Sequence, residues 1–383
     1  MTDKISAVLR VAVANGDLPF AVGMAATPGE VVYDSAAGHA AEGRAAASDT
    51  VFRIFSMTKA VGSVAAMILI DRGKFTMDTP VGDILPDFDD LQVLDGFDGD
   101  TPRMRPAKTR ATIRHLATHT SGLEYEFWND DMARYLQLTG RPPILSGLKE
   151  GLKQPLMTDP GTRWGYGPSI DWLGQCVEAV DGRRIDQFCR EEIFEPLGMS
   201  STGFELTPDM SARLADLHAR GEDGSFALFA LAPPSNPEVY GMGHALYSTP
   251  SDYLTFLRMV LNRGALNGSR ILSEAAIDAM LADQMNGLSL LPMITSAPGV
   301  TASFDPFEGI RKTHSFAFMR NEADVPGCRS AGSQSWAGVC NTHYWIDPTR
   351  GLAAVIMTQS LPFVEPRFMQ TYEAFERAVY AEL

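Results

Sequence analysis

The sequence at residues 52–59 reads Phe-Arg-Ile-Phe-Ser-Met-Thr-Lys and places Ser56 three positions before Lys59. An almost wholly apolar stretch follows at 60–70, and its spacing predicts a buried helix over 57–72. Residues three apart share a helix face, so the Lys59 amine can reach the Ser56 hydroxyl. A buried amine loses its charge more readily and can then accept the serine proton. The pattern predicts a nucleophilic serine, although S-x-x-K alone also fits a helix-capping serine beside a solvated lysine.

Two later stretches carry residues that suit such a site. A turn rich in glycine and aromatic residues, 160–169, contains Tyr166. An ammonium beside its phenol would favour the phenolate, which makes Tyr166 a candidate general base. Residues 335–339 (Ser-Trp-Ala-Gly-Val) open a predicted strand, and the small residues there would let an acyl group lie against the strand edge. Taken singly, the aromatic turn also fits core packing, and 335–339 also fits a bulge at the start of a strand.

The order of predicted elements indicates an α+β fold. Strand-like runs occur near both chain ends, and most helical patterns lie between them: strands at 20–25, 30–36, 315–319, 339–346 and 352–358, helices at 112–118, 169–181, 185–195, 251–263 and 365–382. The simplest architecture is an antiparallel sheet built from both termini and flanked by terminal helices, with 1–80 and 290–383 as the sheet subdomain. A mostly helical subdomain would be inserted over 81–289, with the active site in the cleft between the two.

Composition and charge limit the classes of function. The chain has 383 residues, and 32 Lys and Arg against 47 Asp and Glu give a net charge of −15. Phosphate contacts need a basic face, so no nucleic-acid partner is expected. The longest apolar run, 61–70, is too short to span a bilayer, so no membrane partner is expected. Arg10, Asn15 and Asp17 interrupt any signal peptide, and the four cysteines form no C-x-x-C pair, which together predict a cytoplasmic protein.

Taken together, the three stretches resemble the serine β-lactamase and penicillin-binding-protein superfamily. The set is S-x-x-K, then a Y-x-x turn, then W-x-G near the C-terminus, and it is most similar to the class C β-lactamase-like branch called family VIII carboxylesterases. Further segments similar to that family lie at 112–123, 160–162, 196–199 and 246–253. The resemblance covers nearly the whole chain, from about 49 to 358, and implies a β-lactamase-like fold.

The resemblance also implies a role for each matching residue. Ser56 would be the acylated nucleophile and Lys59 its proton partner. Tyr166 would act as general base and then donate a proton to the leaving alcohol. The backbone N–H groups of Ser56 and Val339 would form the oxyanion hole. No cofactor and no metal are implied.

Two departures from the family pattern concern the substrate. Pro168 stands where β-lactam-processing members carry the amide of Y-x-N, and Trp336-Ala337-Gly338 replaces K-T-G. The lysine that helps to hold a substrate carboxylate has become an apolar wall, which favours neutral acyl esters over penicillins and D-Ala-D-Ala peptides. The sequence therefore predicts a serine carboxylesterase acting on a small-molecule ester, and weak β-lactam hydrolysis stays open.

Other functions remain as alternatives. A β-lactamase or D-amino-acid peptidase is the second interpretation, and an acyltransferase or a non-catalytic binding homologue ranks lower. The spacing of His115 and His119 is that of a helical zinc pair, but Leu116 replaces the glutamate of H-E-x-x-H, so packing or capping is expected instead.

Three aromatic residues are predicted to line the substrate pocket beside Trp336, Ala337 and Gly338. They are Phe127, Trp128 and Tyr240. Their sequence neighbours do not distinguish a binding role from ordinary aromatic packing. The sequence predicts neither the acyl chain length nor the oligomeric state.

Overall fold

An antiparallel sheet contributed by both ends of the chain forms the frame of the molecule. The computed structural model describes residues 3–383, and its strands within that range are, in chain order, β1 (Phe20–Ala26), β2 (Val31–Ala41), β3 (Arg44–Ala45), β4 (Phe52–Arg53), β5 (Gln92–Asp98), β6 (Thr101–Pro106), β7 (His218–Arg220), β8 (Phe226–Leu228), β9 (Tyr247–Ser248), β10 (Ala265–Leu266), β11 (Ser269–Arg270), β12 (Lys312–His314), β13 (Met319–Asn321), β14 (Gln334–Gly338), β15 (Thr342–Asp347), β16 (Leu352–Met357) and β17 (Ser360–Leu361). Over the same residues the main sheet has the strand order β12-β13-β14-β15-β16-β1-β2-β3. β1 pairs antiparallel with β16, so the N-terminal and C-terminal strands meet inside the sheet. This arrangement confirms the predicted α+β fold.

Helices cover both faces of this sheet. In chain order they are α1 (Asp3–Ala14), α2 (Thr58–Asp71), α3 (Pro86–Asp89), α4 (Ile113–Ala117), α5 (Asp130–Thr139), α6 (Lys149–Leu152), α7 (Ser169–Asp181), α8 (Ile185–Cys189), α9 (Glu195–Leu197), α10 (Pro208–Ala212), α11 (Pro250–Leu261), α12 (Glu274–Leu281) and α13 (Pro366–Glu382). α1 and α13 pack on one face, where Leu9 and Phe375 share a cluster with Ala354 and Ile356 of β16. The alternate β16 residues belong to the core on the other face, which includes α2 and α11. In the described part of the chain, no helix has the length and apolar character needed to cross a membrane.

α2 is the buried helix that the S-x-x-K stretch predicts. Every residue from Thr58 to Leu69 is buried, and α2 packs against α7. A helix that is apolar all round is stable inside a protein rather than at its surface. Lys59 lies in the first turn of α2 and is only 3% exposed, which contradicts the alternative of a solvated lysine.

Several predicted boundaries are wrong for local reasons. Residues 315–318 turn the chain between β12 and β13 rather than forming a strand. The strand predicted over 339–346 is divided, because β14 ends at Gly338 and Asn341, at φ +60°, turns the chain into β15. The β5–β6 hairpin lies in a stretch for which no strand is predicted.

The hydrophobic core runs through both predicted subdomains. Its largest cluster contains Phe20 and Val355 from the sheet together with Leu116 and Phe256 from 81–289. α11 lies within the segment predicted as the helical insert, yet it packs on β1 and β16. The division of the chain at residues 80 and 290 therefore stays a prediction.

Candidate active site

The predicted nucleophile, Ser56, lies in a strained turn that leads into α2. This turn is the 3₁₀ helix Phe55–Met57. Phe55 has a φ of +40°, a value that residues other than glycine rarely adopt. Two contacts hold the turn: Ile54 N–H donates to the Leu246 carbonyl (3.2 Å), and the Tyr253 hydroxyl donates to the Met57 carbonyl (2.9 Å). Because Ser56 lies in the first turn of a helical segment, its backbone N–H has no acceptor within the helix and can serve a ligand.

Lys59 is fixed by three hydrogen bonds from its amine. The Nζ donates to Ser56 Oγ (3.0 Å), to the Tyr125 hydroxyl (3.1 Å) and to the Gly243 carbonyl (2.7 Å). An ammonium has three donors, so these contacts satisfy it. Its position also places Nζ 4.8 Å from the centre of the Tyr166 ring. The lysine is therefore held against the Ser56 hydroxyl, close to the rings of both Tyr125 and Tyr166.

Tyr166 is positioned by a glycine-rich turn packed on the segment before Tyr125. The Tyr125 N–H donates to the Tyr166 carbonyl (3.0 Å). A Cβ on Gly167 would lie 2.2 Å from the Leu123 carbonyl oxygen, so only glycine allows this approach. Trp336 Nε1 donates a hydrogen bond to the Tyr166 hydroxyl oxygen (3.0 Å), and the two rings lie 4.9 Å apart. Trp336, which is predicted to stand in place of the K-T-G lysine, thus contacts the predicted base directly.

Ser56 opens into a narrow cavity with mostly apolar walls. The lining residues are Ser56, Phe127, Trp128, Tyr166, Thr301, Trp336, Ala337, Val339 and Phe363, and the volume is about 30 Å³. This is about the space of one water molecule. A larger cavity of about 440 Å³ lies next to it and shares Trp336, Ala337 and Phe363 as lining residues. These three shared residues separate the nucleophile from the larger space.

The predicted oxyanion pair, Ser56 and Val339, lines this cavity where β14 meets the nucleophile turn. β14 pairs with β13 only at Gln334 and Ser335, so its edge is free beyond Ser335. A Cβ on Gly338 would lie 2.3 Å from the Ile54 carbonyl oxygen. The absence of a side chain at Gly338 therefore lets the strand approach the turn that carries Ser56.

Burial sets the protonation of the groups behind the cavity. It raises the pKa of the Tyr125 hydroxyl well above its usual value, and the charge of Asp171 adds to this effect. Burial lowers the pKa of His314 to about 4. Burial, with His314 and Lys59 nearby, also holds the pKa of His119 well below its usual value. At neutral pH these histidines are uncharged and Tyr125 is a phenol.

The predicted histidine pair has structural contacts. His115 belongs to the cap of α4, where its Nδ1 accepts from the Thr112 N–H (3.2 Å). The ring of His119 packs 5.0 Å from that of Tyr166. Both placements agree with the predicted packing and capping roles.

Most predicted site residues meet at one place, but Tyr240 does not. Ser56, Tyr166, Trp336, Ala337, Val339, Phe127 and Trp128 line the narrow cavity, Lys59 is bonded to Ser56, and Gly338 lies beneath the nucleophile turn. Tyr240 instead lines a separate cavity, and its hydroxyl donates to Glu205 (2.7 Å). The sequence prediction missed Tyr125, Gly243 and Phe363. Tyr125 lies two positions before the predicted pocket residue Phe127, and this proximity in sequence could have indicated that it belongs to the site.

Comparison with known proteins agrees with this architecture. The sequence matches the family model described as Beta-lactamase over residues 5–378. Monacolin J acid methylbutanoyltransferase of Aspergillus terreus is 30% identical over 349 residues, covering 87% of this chain and 83% of that protein. Lovastatin esterase of Penicillium rubens is 27% identical over 371 residues, covering 92% of this chain and 91% of that protein.

A solved structure extends the similarity to the fold. Simvastatin synthase from Aspergillus terreus, in a mutant form, aligns with a TM-score of 0.86 at 28% identity, covering 99% of this chain and 94% of that chain. The finer resemblance to family VIII carboxylesterases stays a prediction. The match over residues 5–378 extends across nearly the whole sheet and the candidate site, and the chain therefore belongs to the Beta-lactamase family.

Proposed function

We propose that this protein is a serine acyltransferase that moves an acyl group from a small, neutral ester to an alcohol through an acyl-enzyme at Ser56. The observation that carries the proposal is the buried Lys59 amine bonded to Ser56 Oγ (3.0 Å) beside Tyr166. From the sequence alone, hydrolysis ranks first and transfer lower. The methylbutanoyltransferase at 30% identity now favours transfer, and the lovastatin esterase keeps hydrolysis as the second candidate.

Acylation begins with loss of the Ser56 proton. Tyr166 as phenolate takes this proton, while Lys59 holds Ser56 Oγ in place and stabilises negative charge on it. The oxygen attacks the ester carbonyl, and the backbone N–H groups of Ser56 and Val339 stabilise the tetrahedral oxyanion. When the intermediate collapses, the carbon–oxygen bond to the alcohol breaks. Tyr166 returns the proton to that alcohol.

Deacylation repeats these steps with a new alcohol as the nucleophile. Phe127, Trp128, Trp336, Val339 and Phe363 surround Ser56 with apolar surface. The cavity at Ser56 holds about one water molecule, so an alcohol would extend into the adjoining cavity of about 440 Å³ and bury apolar surface against Trp336 and Phe363. The adjoining cavity therefore supports an alcohol as the acceptor.

The same walls support a neutral ester. Trp336 occupies the position of the family lysine and uses its N–H on Tyr166, so it offers no cation to a substrate carboxylate. The net charge of −15 also repels anions over longer distances. We therefore place β-lactams and D-alanyl peptides behind neutral esters as substrates.

The test follows the fate of the acyl group. The enzyme is given p-nitrophenyl butyrate with and without benzyl alcohol, and both butyric acid and benzyl butyrate are measured. Transfer predicts benzyl butyrate as the main product, a butyryl adduct on Ser56 by intact mass, and neither in Ser56→Ala. Butyric acid alone at every alcohol concentration would establish the esterase instead. An unlabelled Ser56, or a chromogenic cephalosporin consumed faster than the ester, would contradict the proposal.

A further inference from the structure

A buried carboxylate lies behind Lys59 and has no part in the steps above. Asp171, in the first turn of α7, is 0% exposed. Its Oδ1 accepts from the Gly243 N–H (3.1 Å) and lies 3.4 Å from His244 Nδ1. Its Oδ2 is buried without a hydrogen-bond partner among the described residues. A buried carboxylate oxygen without a partner is costly, so it calls for an explanation in the surrounding site.

Two routes connect Asp171 to Lys59. The first is the Gly243 residue, whose N–H donates to Asp171 while its carbonyl accepts from Lys59 Nζ (2.7 Å). The second is Tyr125, whose hydroxyl accepts from Lys59 Nζ (3.1 Å). A Cβ on Gly243 would lie 2.4 Å from Asp171 Oδ2 and 3.0 Å from the Tyr125 hydroxyl. The carboxylate and the phenol therefore border the same small space.

The two tyrosines beside Lys59 have different surroundings. The Tyr166 hydroxyl oxygen accepts from the Trp336 N–H, whereas the Tyr125 hydroxyl accepts from Lys59 and borders the Asp171 carboxylate. Burial raises the pKa of the Tyr125 hydroxyl well above its usual value, and the charge of Asp171 adds to this effect. The titratable groups around Tyr125 are Lys59, Tyr166, Asp171 and Glu126, and His244 lies against Asp171.

We propose that Asp171 is a positioning residue for acyl transfer: it orients the Gly243 carbonyl that holds Lys59, and its carboxylate beside the Tyr125 hydroxyl leaves Tyr166 to take the Ser56 proton. This inference rests on the proposed function. Asp171 touches neither Ser56 nor the cavity beside it. It acts by deciding which of two neighbouring phenols becomes the base.

The first test is Asp171→Asn, which keeps an acceptor for the Gly243 N–H and removes the charge. Without that charge Tyr125 ionises more easily and competes with Tyr166 as the base. We expect kcat to fall about ten-fold with KM within about two-fold, because loss of the charge disturbs proton transfer from Ser56 while the pocket is intact. The Ser56 labelling rate, measured with a fluorophosphonate, should then begin to rise at a lower pH than in wild type.

Asp347→Asn is the matched control. Asp347 is also 0% exposed, and its bonds go to the N–H groups of Ser330 and Arg350 and to the Tyr380 hydroxyl. The Asp347→Asn variant should be less stable than wild type. The rate of Ser56 labelling per folded molecule and its pH dependence should not change. A purely structural Asp171 would behave in the same way, so an unchanged labelling profile in Asp171→Asn overturns the inference.

Tyr125→Phe keeps the inference testable even where Asp171→Asn does not fold. Tyr125 is not the base, so its loss should leave the pH at which labelling rises unchanged. A shift in that pH would identify Tyr125 as a base and refute the role given to Asp171. In the Tyr125→Phe background, Asp171→Asn should no longer shift the profile. Failure of the proposed function is distinct, because the wild-type Ser56 would then not be labelled at all.

Discussion

Trp336, which is predicted to stand where the family carries a lysine, contacts the candidate base directly. A lysine there would be a second cation in the cleft, whereas the indole supplies a neutral N–H donor at 3.0 Å from the Tyr166 hydroxyl oxygen. A neutral donor stabilises a phenolate without attracting substrate carboxylates. The change that makes the cleft apolar thus also supports the predicted base.

Trp336→Phe should separate these two functions, since it keeps the aromatic wall and removes the donor. A hydrogen bond to a charged group contributes about 1.5–3 kcal/mol, so kcat/KM should fall about 10- to 160-fold. Steady-state kinetics with a p-nitrophenyl ester measure this loss. Trp128→Phe is the comparison, because Trp128 lines the same cavity and its Nε1 has no partner among the described residues. Equal losses in the two variants would argue against a role for the Trp336 N–H.

Tyr240 provides a test of the boundary of the site. Its hydroxyl is bonded to Glu205 in a cavity that does not include Ser56. Tyr240→Phe should therefore leave kcat and KM for a p-nitrophenyl ester within about two-fold of wild type, as expected for a residue that does not contact substrate. A KM raised five-fold or more would show that substrate reaches this second cavity.

Among the elements, β14 and the nucleophile turn depend on each other through Gly338. A methyl group there would meet the Ile54 carbonyl oxygen at 2.3 Å and Thr342 Oγ1 at 2.5 Å. Gly338→Ala should push Val339 away from Ser56, and a displacement of about 1 Å costs about 100-fold in rate. Kinetics and thermal unfolding would measure this beside Gly299→Ala, where a Cβ meets nothing within 4 Å. A fully active Gly338→Ala would show that the two oxyanion donors do not depend on this approach.

Phe363 separates the narrow cavity at Ser56 from the larger one beside it. Its backbone is tied on both sides, by its N–H to the Val300 carbonyl (2.8 Å) and by its carbonyl to the Ala302 N–H (2.9 Å). Phe363→Ala should join the two cavities and raise kcat/KM for bulky esters relative to butyrate by about ten-fold, as burial of two or more extra methylenes allows. A chain-length panel measures this, with the exposed Phe229→Ala as control. An unchanged ranking of esters would place the acyl group elsewhere.

The sequence was informative for elements with strong local signals and poor for those set by distant contacts. α7 begins and ends at the predicted residues, since Pro168 precedes it and Gly182 ends it at φ +88°. The turn at Asn341 was missed, because its side chain is satisfied by Ser360, Pro362 and Val364, which lie far along the sequence. The fold prediction rested on the strand patterns near both chain ends and on the apolar pattern of α2.

The same distinction applies to the candidate site. Ser56 and Lys59 are three residues apart, so helix geometry alone brings them together. Tyr125 and Gly243 reach Lys59 from separate loops, and no periodicity in the sequence could pair them. Motifs therefore located the chemistry, while the contacts that hold the lysine required the fold.

At the scale of the whole molecule, buried neutral histidines link stability to pH. Burial lowers the pKa of His314 to about 4 and that of His343 to about 3. An unfolded histidine titrates near 6.5, so below that pH the unfolded chain binds more protons than the folded one. The stability that these residues contribute is complete above pH 6.5 and is lost as the pH falls toward 4 and then 3.

His314→Gln should reduce this dependence by about one proton. Between pH 6.5 and 4.5, the free energy of unfolding should fall less steeply with falling pH than it does in wild type. The difference between the two slopes should be about 1.4 kcal/mol per pH unit. Urea unfolding at several pH values measures the slope. The exposed His39→Gln should leave it unchanged. A slope in His314→Gln equal to that of wild type would mean that His314 does not resist protonation in the folded state.

Phe55 has a consequence for how this enzyme tolerates mutation. Its backbone, at φ +40°, is unfavourable by about 1–3 kcal/mol, and glycine would remove that cost. Glycine would also remove a ring buried with Leu217, Cys340 and Leu361, a loss of about 3–5 kcal/mol. Smaller side chains lose the ring and keep the strain. A deep mutational scan should therefore find position 55 among the least replaceable in the chain, although its side chain anchors the turn from behind and does not line the cavity at Ser56.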